Sequence, residues 1–387
     1  MAIGINIKPE VLGARLKAAR ILHRLTQEAA AVALGVARTT IVAIEAGKRA
    51  ISLEELRILA NLYQSPEGEL LDEERPELQM EVDFRTGGQE KLAGDEAKVA
   101  AMLHRLAASA IAIENLVDQR APKLDLPELN ISRSGAIDQQ AEDAALALRS
   151  RLGIGLGPIQ DLTALMEFEL GLRVFERPLP SKVAGAVAFD SAVGGFVLLN
   201  SLHPLARRRV TAGHEIGHLL VRKVGLSIHF DEDEPADRDE RFFDLFGVAL
   251  LAPAAAVRKK ADELQRMFGG FSVRQLLMMA VFFNISIEAM TRRMVRLGIL
   301  KSGTYERLHA EGIGLKHRDR VVEEMPRAEE APAFTPRALL LAGIAHEREL
   351  LSEQQIASML ELDLVTVRKA LESGRGDIRE GVLELAL

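Results

Sequence analysis

Cysteine and tryptophan are both absent from the 387 residues of this chain, and aromatic residues make up only 4% of it. Without cysteine there is no disulfide scaffold, thiol nucleophile, iron–sulfur cluster or cysteine-ligated zinc, so only His, Asp and Glu remain as metal ligands. The N-terminus lacks a basic stretch followed by an apolar stretch, and the longest apolar run, 276–283, is too short to cross a bilayer. These absences predict a cytoplasmic protein without a membrane partner.

Charge is distributed unevenly along the chain. Residues 1–65 contain nine Lys or Arg and five Glu, a net charge of +4, whereas the whole chain has a net charge of −7. A small basic module on an acidic body is typical of a nucleic-acid-binding head, because attraction to phosphates supplies most non-specific affinity. On charge alone, an unevenly charged soluble protein explains the pattern equally well.

The same basic segment has the pattern of a small helical bundle. Apolar residues at helical spacing predict a first helix over 9–23, and Thr26 is placed to cap a second, alanine-rich helix. Gly35 permits a sharp turn into a third helix, 38–45, and Ser52 begins a fourth as part of a capping box. Two short helices joined by a glycine turn form the helix-turn-helix layout, in which the second helix enters the major groove of DNA.

This segment resembles the Cro/repressor-type (XRE) family of helix-turn-helix regulators. The matching residues are Leu25, Thr26, Gln27, Glu28, Gly35, Val36, Ile41 to Ile44, Glu45, Gly47 and Arg49. The resemblance implies that residues 38–50 bind a double-stranded DNA operator, usually a palindrome occupied by a homodimer. Base contacts are expected from Arg38 and Thr39, and phosphate contacts from Gln27, Thr40, Lys48 and Arg49. Position 43 is Ala where family members often have a polar base reader. The alternative is a helical bundle that contacts protein.

A metal-binding pattern lies in the middle of the chain, where residues 214–218 are His-Glu-Ile-Gly-His. On a helix, His214 and His218 project from one face, and both imidazoles can bind one metal ion. Zinc lowers the pKa of a water that it polarises toward about 7, so Glu215 can take that proton and later give it to a leaving amine. Because chance also produces this short pattern, a third ligand is needed to support it.

A carboxylate pair downstream offers that third ligand. Catalytic zinc generally has three protein ligands, and Glu240 and Asp244 share one face of a predicted apolar helix. In the zinc peptidases with two His and one Glu, which this layout resembles, the Glu binds zinc and the Asp lies behind a ligand His and fixes its tautomer. Glu240 is therefore expected as the third ligand and Asp244 as the orienting residue. Alternatively, Glu240 belongs to an acidic surface run over 231–239, in which Asp239 is the nearest competitor for the ligand role.

Together these segments resemble the ImmA/IrrE family of metallopeptidases. The matching residues are Leu198 to Asn200, the arginines and Thr211 before the motif, His214 to His218, Glu240, Asp244 to Phe246, and Leu250 to Pro253. The resemblance covers residues 140–300 and, with the head, matches a fused regulator–peptidase architecture. It implies a zinc-dependent endopeptidase whose relatives cut a cognate repressor, often under stress or mobile-element control. Family members commonly have Asn at position 244 and Ala at positions 243 and 247.

The patterns divide the chain into four segments. We expect an all-α helix-turn-helix domain over 1–70, a connector with a long helix over 71–136, an α+β zincin-like metallopeptidase domain over 137–300, and a helical C-terminal subdomain over 301–387. The peptidase segment is predicted to contain a small sheet, with strands at 172–176, 183–189 and 195–200. The long connector helix, 95–117, either acts as a spacer or dimer helix or packs on the body.

Three features leave alternatives open. We expect His229 on a loop between the two metal-binding segments, either as a surface residue or as a hydrogen-bond donor to the oxyanion of the reaction. A substrate peptide is expected along the exposed edge strand near 183–200. Residues 352–372 repeat a two-helix pattern in acidic surroundings, which favours a packing or dimerisation subdomain over a second DNA contact.

The sequence therefore predicts a DNA-binding transcriptional regulator that carries a zinc-dependent endopeptidase domain and cleaves a partner repressor. The alternative is a DNA-binding repressor whose zinc domain senses a ligand or mediates assembly without proteolysis. A third interpretation is a stand-alone peptidase whose head docks only on protein. Zinc is preferred to manganese or iron because imidazole ligands favour it.

Overall fold

The computed structural model of the chain describes residues 7–22, 25–63, 65, 67–71, 93–122, 126–190, 192–221, 225–230, 237–311 and 334–378. Residues 72–92 of the connector and the acidic residues 231–236 lie outside these described residues. Within them the chain forms a helical head, a four-stranded sheet between helices, and a group of C-terminal helices.

The head consists of short helices around one apolar core. Their bounds are α1 Pro9–Leu22, α2 Gln27–Leu34, α3 Arg38–Glu45, α4 Leu53–Leu62 and α5 Glu67–Leu71. The side chains of Thr26 and Ser52 cap α2 and α4, and Ser52 forms a capping box with Glu55. Gly35 makes the turn between α2 and α3 with a φ of 70°, which glycine adopts without a steric penalty. The helix-turn-helix layout expected from the sequence is confirmed.

The body is built on a mixed sheet of strand order β1-β3-β2-β4. The strands are β1 Arg173–Arg177, β2 Val183–Asp190, β3 Gly194–Asn200 and β4 Gly225–Phe230. Strand β3 pairs parallel with β1 and antiparallel with β2, and β2 pairs antiparallel with β4. Because β2 and β3 are both interior strands among the described residues, the expectation of an exposed edge strand near 183–200 is wrong.

Strand β4 was not expected, and the prediction that His229 lies on a loop is wrong. Leu226, Ile228 and Phe230 alternate with Ser227 and His229, which is the period-two pattern of a strand. The pattern is short and lies next to an acidic run, which made a loop the simpler interpretation. The strand pairs along β2 and places His229 opposite Gly185.

Helices cover both faces of the sheet. In β3, Val197 and Leu199 belong to a core shared with the helices of the metal-binding segments, whereas Phe196 and Leu198 belong to a core shared with the long helix α6. The body helices are α6 Ala93–Val117, α7 Ile137–Arg151, α8 Leu162–Ala164, which continues as a π-helical turn at Leu165–Glu169, α9 Leu205–Val221, α10 Arg238–Leu251, α11 Ala254–Phe268, α12 Val273–Phe282, α13 Ile287–Arg296 and α14 Thr304–Ala310. Because both faces are covered, the interior strands β2 and β3 are nearly continuous apolar runs.

Helix α6 packs on the body. Of the two interpretations of the connector helix, a spacer or dimer helix and a helix packed on the body, the structure supports the second. It contributes to the core under the sheet and, through Ile113 and Val117, to a core with the C-terminal helices.

Among the described residues, Gly94–Val117 is long and apolar enough to cross a membrane by length and composition. The bent pairs α2 with α3 and α12 with α13 meet the same test only if each pair is taken as one span. Apolar residues of α6 from Val99 to Val117 are buried in these two protein cores, whereas Leu116 is exposed.

The C-terminal helices repeat the geometry of the head. They are α15 Pro336–Glu347, α16 Glu353–Met359 and α17 Leu364–Ile378. The side chain of Ser352 caps α16 as Thr26 caps α2, and Glu361 makes the following turn with a φ of 51°, as Gly35 does in the head. Arg177 of the sheet donates a 3.0 Å hydrogen bond to the backbone oxygen of Leu360. This helix-turn-helix-shaped unit is therefore packed on the body, as the sequence favoured.

A buried carboxylate joins the long helix, the sheet and the C-terminal helices. Glu114 of α6 accepts hydrogen bonds from Arg173 of β1 at 2.7 Å and from Arg337 of α15 at 2.5 Å. All three residues are less than 9% exposed. Backbone oxygens of Val193 and Gln119 also accept from the two guanidinium groups, but Glu114 is the carboxylate that both of them contact.

We predict that Glu114→Gln lowers the free energy of unfolding by about 3 kcal/mol or more, because two buried guanidinium groups lose their counter-ion. Urea unfolding followed by circular dichroism measures the change. Glu353→Gln is the matched control, since it breaks the exposed pair with Arg368 and is expected to cost about 0–1 kcal/mol. Equal costs for the two variants would contradict the role given to Glu114.

Candidate metal centre and nucleic-acid interface

Helix α9 carries the two histidines into the interior of the body. His214 is 1% exposed and His218 is partly buried, and the four-residue spacing places both on one face of the helix. Their Nε2 atoms lie 3.0 Å apart. The helix is fixed by the arginines that precede the motif: Arg208 pairs with Glu176 of β1, and Arg209 donates a 3.0 Å hydrogen bond to the backbone oxygen of Gln160.

Helix α10 brings two carboxylates to the same place. The Oε2 atom of Glu240 lies 3.3 Å from Nε2 of His214 and 3.6 Å from Nε2 of His218. The Oδ1 atom of Asp244 accepts a 2.8 Å hydrogen bond from Nδ1 of His214. This contact fixes the ring so that Nε2 faces Glu240. The Glu240 side chain is 39% exposed, so the cluster opens to solvent on the α10 side.

Glycines allow α9 and α10 to approach closely enough for these contacts. A Cβ atom built on Gly213 would lie 2.8 Å from the Cα atom of Gly247, and one built on Gly247 would lie 2.7 Å from the backbone nitrogen of His214. One turn further along, a Cβ atom on Gly217 would lie 3.1 Å from the ring of Phe243. The helix backbones therefore touch directly, and any side chain at 213 would separate the imidazoles from the carboxylates.

Glu215 lies between α9 and the sheet. It is 0% exposed, and within the described part of the chain neither of its carboxylate oxygens has a hydrogen-bond partner. Strand β2 makes room for it with Gly185, where a Cβ atom would lie 3.1 Å from Oε1 of Glu215. Burial raises the pKa of Glu215 to about 8. A buried carboxyl group without a partner is costly and is therefore a typical feature of a functional site.

The charges of the cluster are arranged to hold a cation. Burial alone would raise the pKa of Glu240, but hydrogen bonds with His214 and His218 hold it well below its usual range. Burial alone would lower the pKa of His214, but hydrogen bonds with Asp244 and Glu240 raise it to about 10. Both shifts show that the two carboxylates stabilise positive charge at the imidazole nitrogens.

The donor set has the composition and spacing that suit zinc. Zinc prefers imidazole nitrogen and carboxylate oxygen at about 2.0–2.2 Å, which places neighbouring tetrahedral ligand atoms about 3.3 Å apart. The three distances among His214, His218 and Glu240 are 3.0, 3.3 and 3.6 Å. A group of His214, His229 and Glu240 also has ligand atoms within 4.8 Å of one another. Glu240 therefore belongs to both groups of candidate ligands. Asp239, the alternative carboxylate ligand, belongs to neither.

His229 is the residue that sequence reasoning placed incorrectly. Its ring lies against the ring of His214, with centroids 3.9 Å apart. Burial, together with the neighbouring His214 and His218, lowers the pKa of His229 well below its usual value, so the imidazole is neutral. The alternation of apolar residues in β4 is the signal that would have placed it in the site.

The residues expected to contact DNA lie around the start of α3. Arg38 and Thr39 are exposed, and Thr40 is partly buried. Arg38 donates a 3.3 Å hydrogen bond to Gln27 of α2, whose amide donates a 3.0 Å bond to Glu45. Glu45 is buried and also accepts from Arg20 of α1. This chain of contacts sets the position of Arg38 and Gln27 relative to the core of the head.

Two further basic residues follow α3. Lys48 is exposed, and Arg49 is exposed but donates a 2.7 Å hydrogen bond to Glu55 of α4. The turn between them and α3 requires Gly47, whose φ is 67° and where a Cβ atom would lie 2.5 Å from Cα of Glu10. Arg49 must leave Glu55 before it can bind a phosphate. Lys48 forms no ion pair with another described residue, so it can bind a phosphate directly.

Comparison with known proteins places the two modules in families. Residues 16–70 match the family model described as Helix-turn-helix, and residues 168–295 match the one described as IrrE N-terminal-like domain. These matches confirm both resemblances and the fused architecture. No curated protein matches the chain.

Two solved structures align with 96% of this chain and with 96% of their own length, each at 10% sequence identity. They are PlcR of Bacillus thuringiensis in complex with the peptide PapR7 and DNA, with a TM-score of 0.17, and ComR of Streptococcus suis, with a TM-score of 0.16. TM-scores this low do not establish a shared fold.

We predict that Gly213→Ala lowers the free energy of unfolding by about 1–3 kcal/mol, because the new methyl group overlaps the α10 backbone. Gly343→Ala is the matched control: it is also a helical glycine, but nothing lies within 4 Å of its added Cβ atom. The control is expected to stabilise the chain by about 0.5–1 kcal/mol through helix propensity alone. Thermal unfolding of both variants measures the difference, and stabilisation by Gly213→Ala would contradict the close helix contact.

Proposed function

We propose that the protein is a cytoplasmic DNA-binding transcriptional regulator whose body is a zinc-dependent endopeptidase acting on a partner protein, such as a repressor. The observation that carries the proposal is the convergence of His214, His218 and Glu240 from two helices, with Glu215 buried beside them. The match of residues 168–295 to a peptidase-like family supports the same chemistry. The basic helix-turn-helix head supplies DNA binding, and a homodimer on a palindromic site is the assembly we propose.

In this mechanism each residue has one task. His214, His218 and Glu240 hold the metal, and Asp244 keeps the His214 ring in the tautomer that leaves Nε2 free for it. When bound, zinc supplies a Lewis acid that polarises the peptide carbonyl and makes water more acidic. Glu215 takes the proton from the attacking water and gives it to the leaving amine as the C–N bond breaks.

The cleaved segment is proposed to bind as an extended strand. Among the described residues β4 is an edge strand of the sheet, and it carries His229 next to His214. Backbone hydrogen bonds to such an edge bind a peptide without demanding a particular sequence. In this arrangement β4, rather than β2 or β3, is the strand that receives the substrate.

We predict that Glu215→Gln abolishes cleavage while zinc binding and DNA binding are retained. The amide cannot take the proton, which is expected to lower the rate by about 10²–10⁴-fold. Cells producing the wild type and the variant are compared by mass spectrometry of newly formed protein N-termini, and zinc content is measured on both purified proteins. If N-termini and target transcription are the same with both, the body is a sensor or assembly module without turnover.

We predict that Lys48→Ala reduces the salt dependence of DNA binding. Each lost phosphate contact lowers the slope of log affinity against log salt by about 0.9. Fluorescence anisotropy with a 20-bp labelled duplex, a length of about two helical turns, measures the slope for the full chain. Lys301→Ala on the body and Lys369→Ala on α17 are controls, and neither is expected to change it. A changed slope for Lys369→Ala alone would instead assign DNA binding to the C-terminal unit.

A further inference from the structure

We propose that His229 is a fourth protein ligand of the metal held by His214, His218 and Glu240, so that four side chains close the centre at rest. The inference rests on the metal centre of the proposed function and adds a state in which that centre is inactive. The geometry that points to it is the group of His214, His229 and Glu240, whose ligand atoms lie within 4.8 Å of one another.

Strand β4 holds His229 over the metal ligands through its pairing with β2. His229 pairs with Gly185, and Gly185 lies over Thr211 and Glu215 of α9. The register of β4 is therefore what aims the imidazole at the His214 ring, with centroids 3.9 Å apart. His229 is partly buried, and β2 has a register shift between Val183 and Gly185, the partners of Phe230 and His229.

A fourth protein ligand has a direct consequence for activity. Structural zinc sites have four protein ligands, whereas catalytic sites keep one position open for water or substrate. With His229 bound, that position is filled and the peptidase is closed. Since among the described residues β4 is an edge strand, a peptide that pairs with it acts on the strand that carries the closing ligand. Strand β4 therefore couples substrate binding to opening of the metal centre.

The alternative role for His229 is a hydrogen bond to the substrate oxyanion, in which the ring never touches the metal. The two roles differ in metal affinity. Removing a ligand weakens zinc binding, and loss of even an outer partner of a ligand costs about 10–100-fold. Removing an oxyanion donor leaves zinc binding unchanged.

The test is zinc affinity of the full-length chain, measured by competition with a chromophoric chelator. His229→Ala is expected to bind zinc at least tenfold more weakly than the wild type, in line with the approximate range above. His229→Phe keeps a ring against His214 without a ligand atom and is expected to lose the same affinity. His309→Ala removes an exposed His from α14 and is expected to change nothing. Far-UV circular dichroism checks that each variant is folded.

A second readout tests whether the centre is closed. With Co²⁺ in place of zinc, the visible spectrum of the wild type should not respond to added azide, whereas that of His229→Ala should, because an open position accepts the anion. A wild-type spectrum that responds to azide, together with unchanged affinity in both His229 variants, would overturn the inference. If His214→Ala loses zinc in that case, only His229 is reassigned and the proposed function stands. If the wild type itself binds no zinc, both proposals fall.

Discussion

The structure depends on direct backbone contact between α9 and α10. These helices come from segments separated by a strand, and each supplies half of the candidate centre: imidazoles from α9 and carboxylates from α10. Gly213 and Gly247 meet where the helices cross, with space for no Cβ atom on either side. Interiors are packed at crystal-like density, so a shift of an ångström at this crossing would pass directly to His214 and Glu240.

The close approach also creates the electrostatics of the site. Two partly exposed carboxylates are held against two imidazoles. Glu240 and Asp244 raise the pKa of His214, and His214 and His218 lower that of Glu240. Glu215 interacts with these groups through its charge, from the side of α9 where Gly185 leaves room for it. One face of α9 thus presents two imidazoles to α10 while the neighbouring face presents Glu215 to the sheet. This is the separation of tasks that the proposed hydrolysis requires.

The sequence predicts most features of the fold and of the site that depend on interactions between residues close together in the chain. Caps such as Thr26 and Ser52, the glycine turn at Gly35 and the four-residue spacing of the histidines all act within a few residues, so they are readable from the chain. The residues that meet only through tertiary packing were harder. Glu240 and Asp244 were found because they too lie one helical turn apart, and because a known zinc-peptidase layout has the same spacing.

The errors have a common physical origin. Strand β4 is only six residues long, so its alternation of apolar residues is a weak signal, and its long-range pairing with β2 settles its identity. Without β4, the sequence places His229 on a loop and β2 at an edge of the sheet. Packing likewise decided between the two roles considered for α6, because the partners of its apolar faces, the sheet and α15 to α17, are distant in sequence. Periodicity shows that a face is buried but not what covers it.

The central claim is that one metal ion is held jointly by α9 and α10, with Glu240 rather than its neighbour as the carboxylate ligand. The most direct measurement is elemental analysis of protein purified without added metal, for the wild type, Glu240→Ala and Asp239→Ala. The account predicts one zinc per chain in the wild type and in Asp239→Ala, and a loss of zinc in Glu240→Ala. Zinc retained in Glu240→Ala, or absent from the wild type, would contradict it.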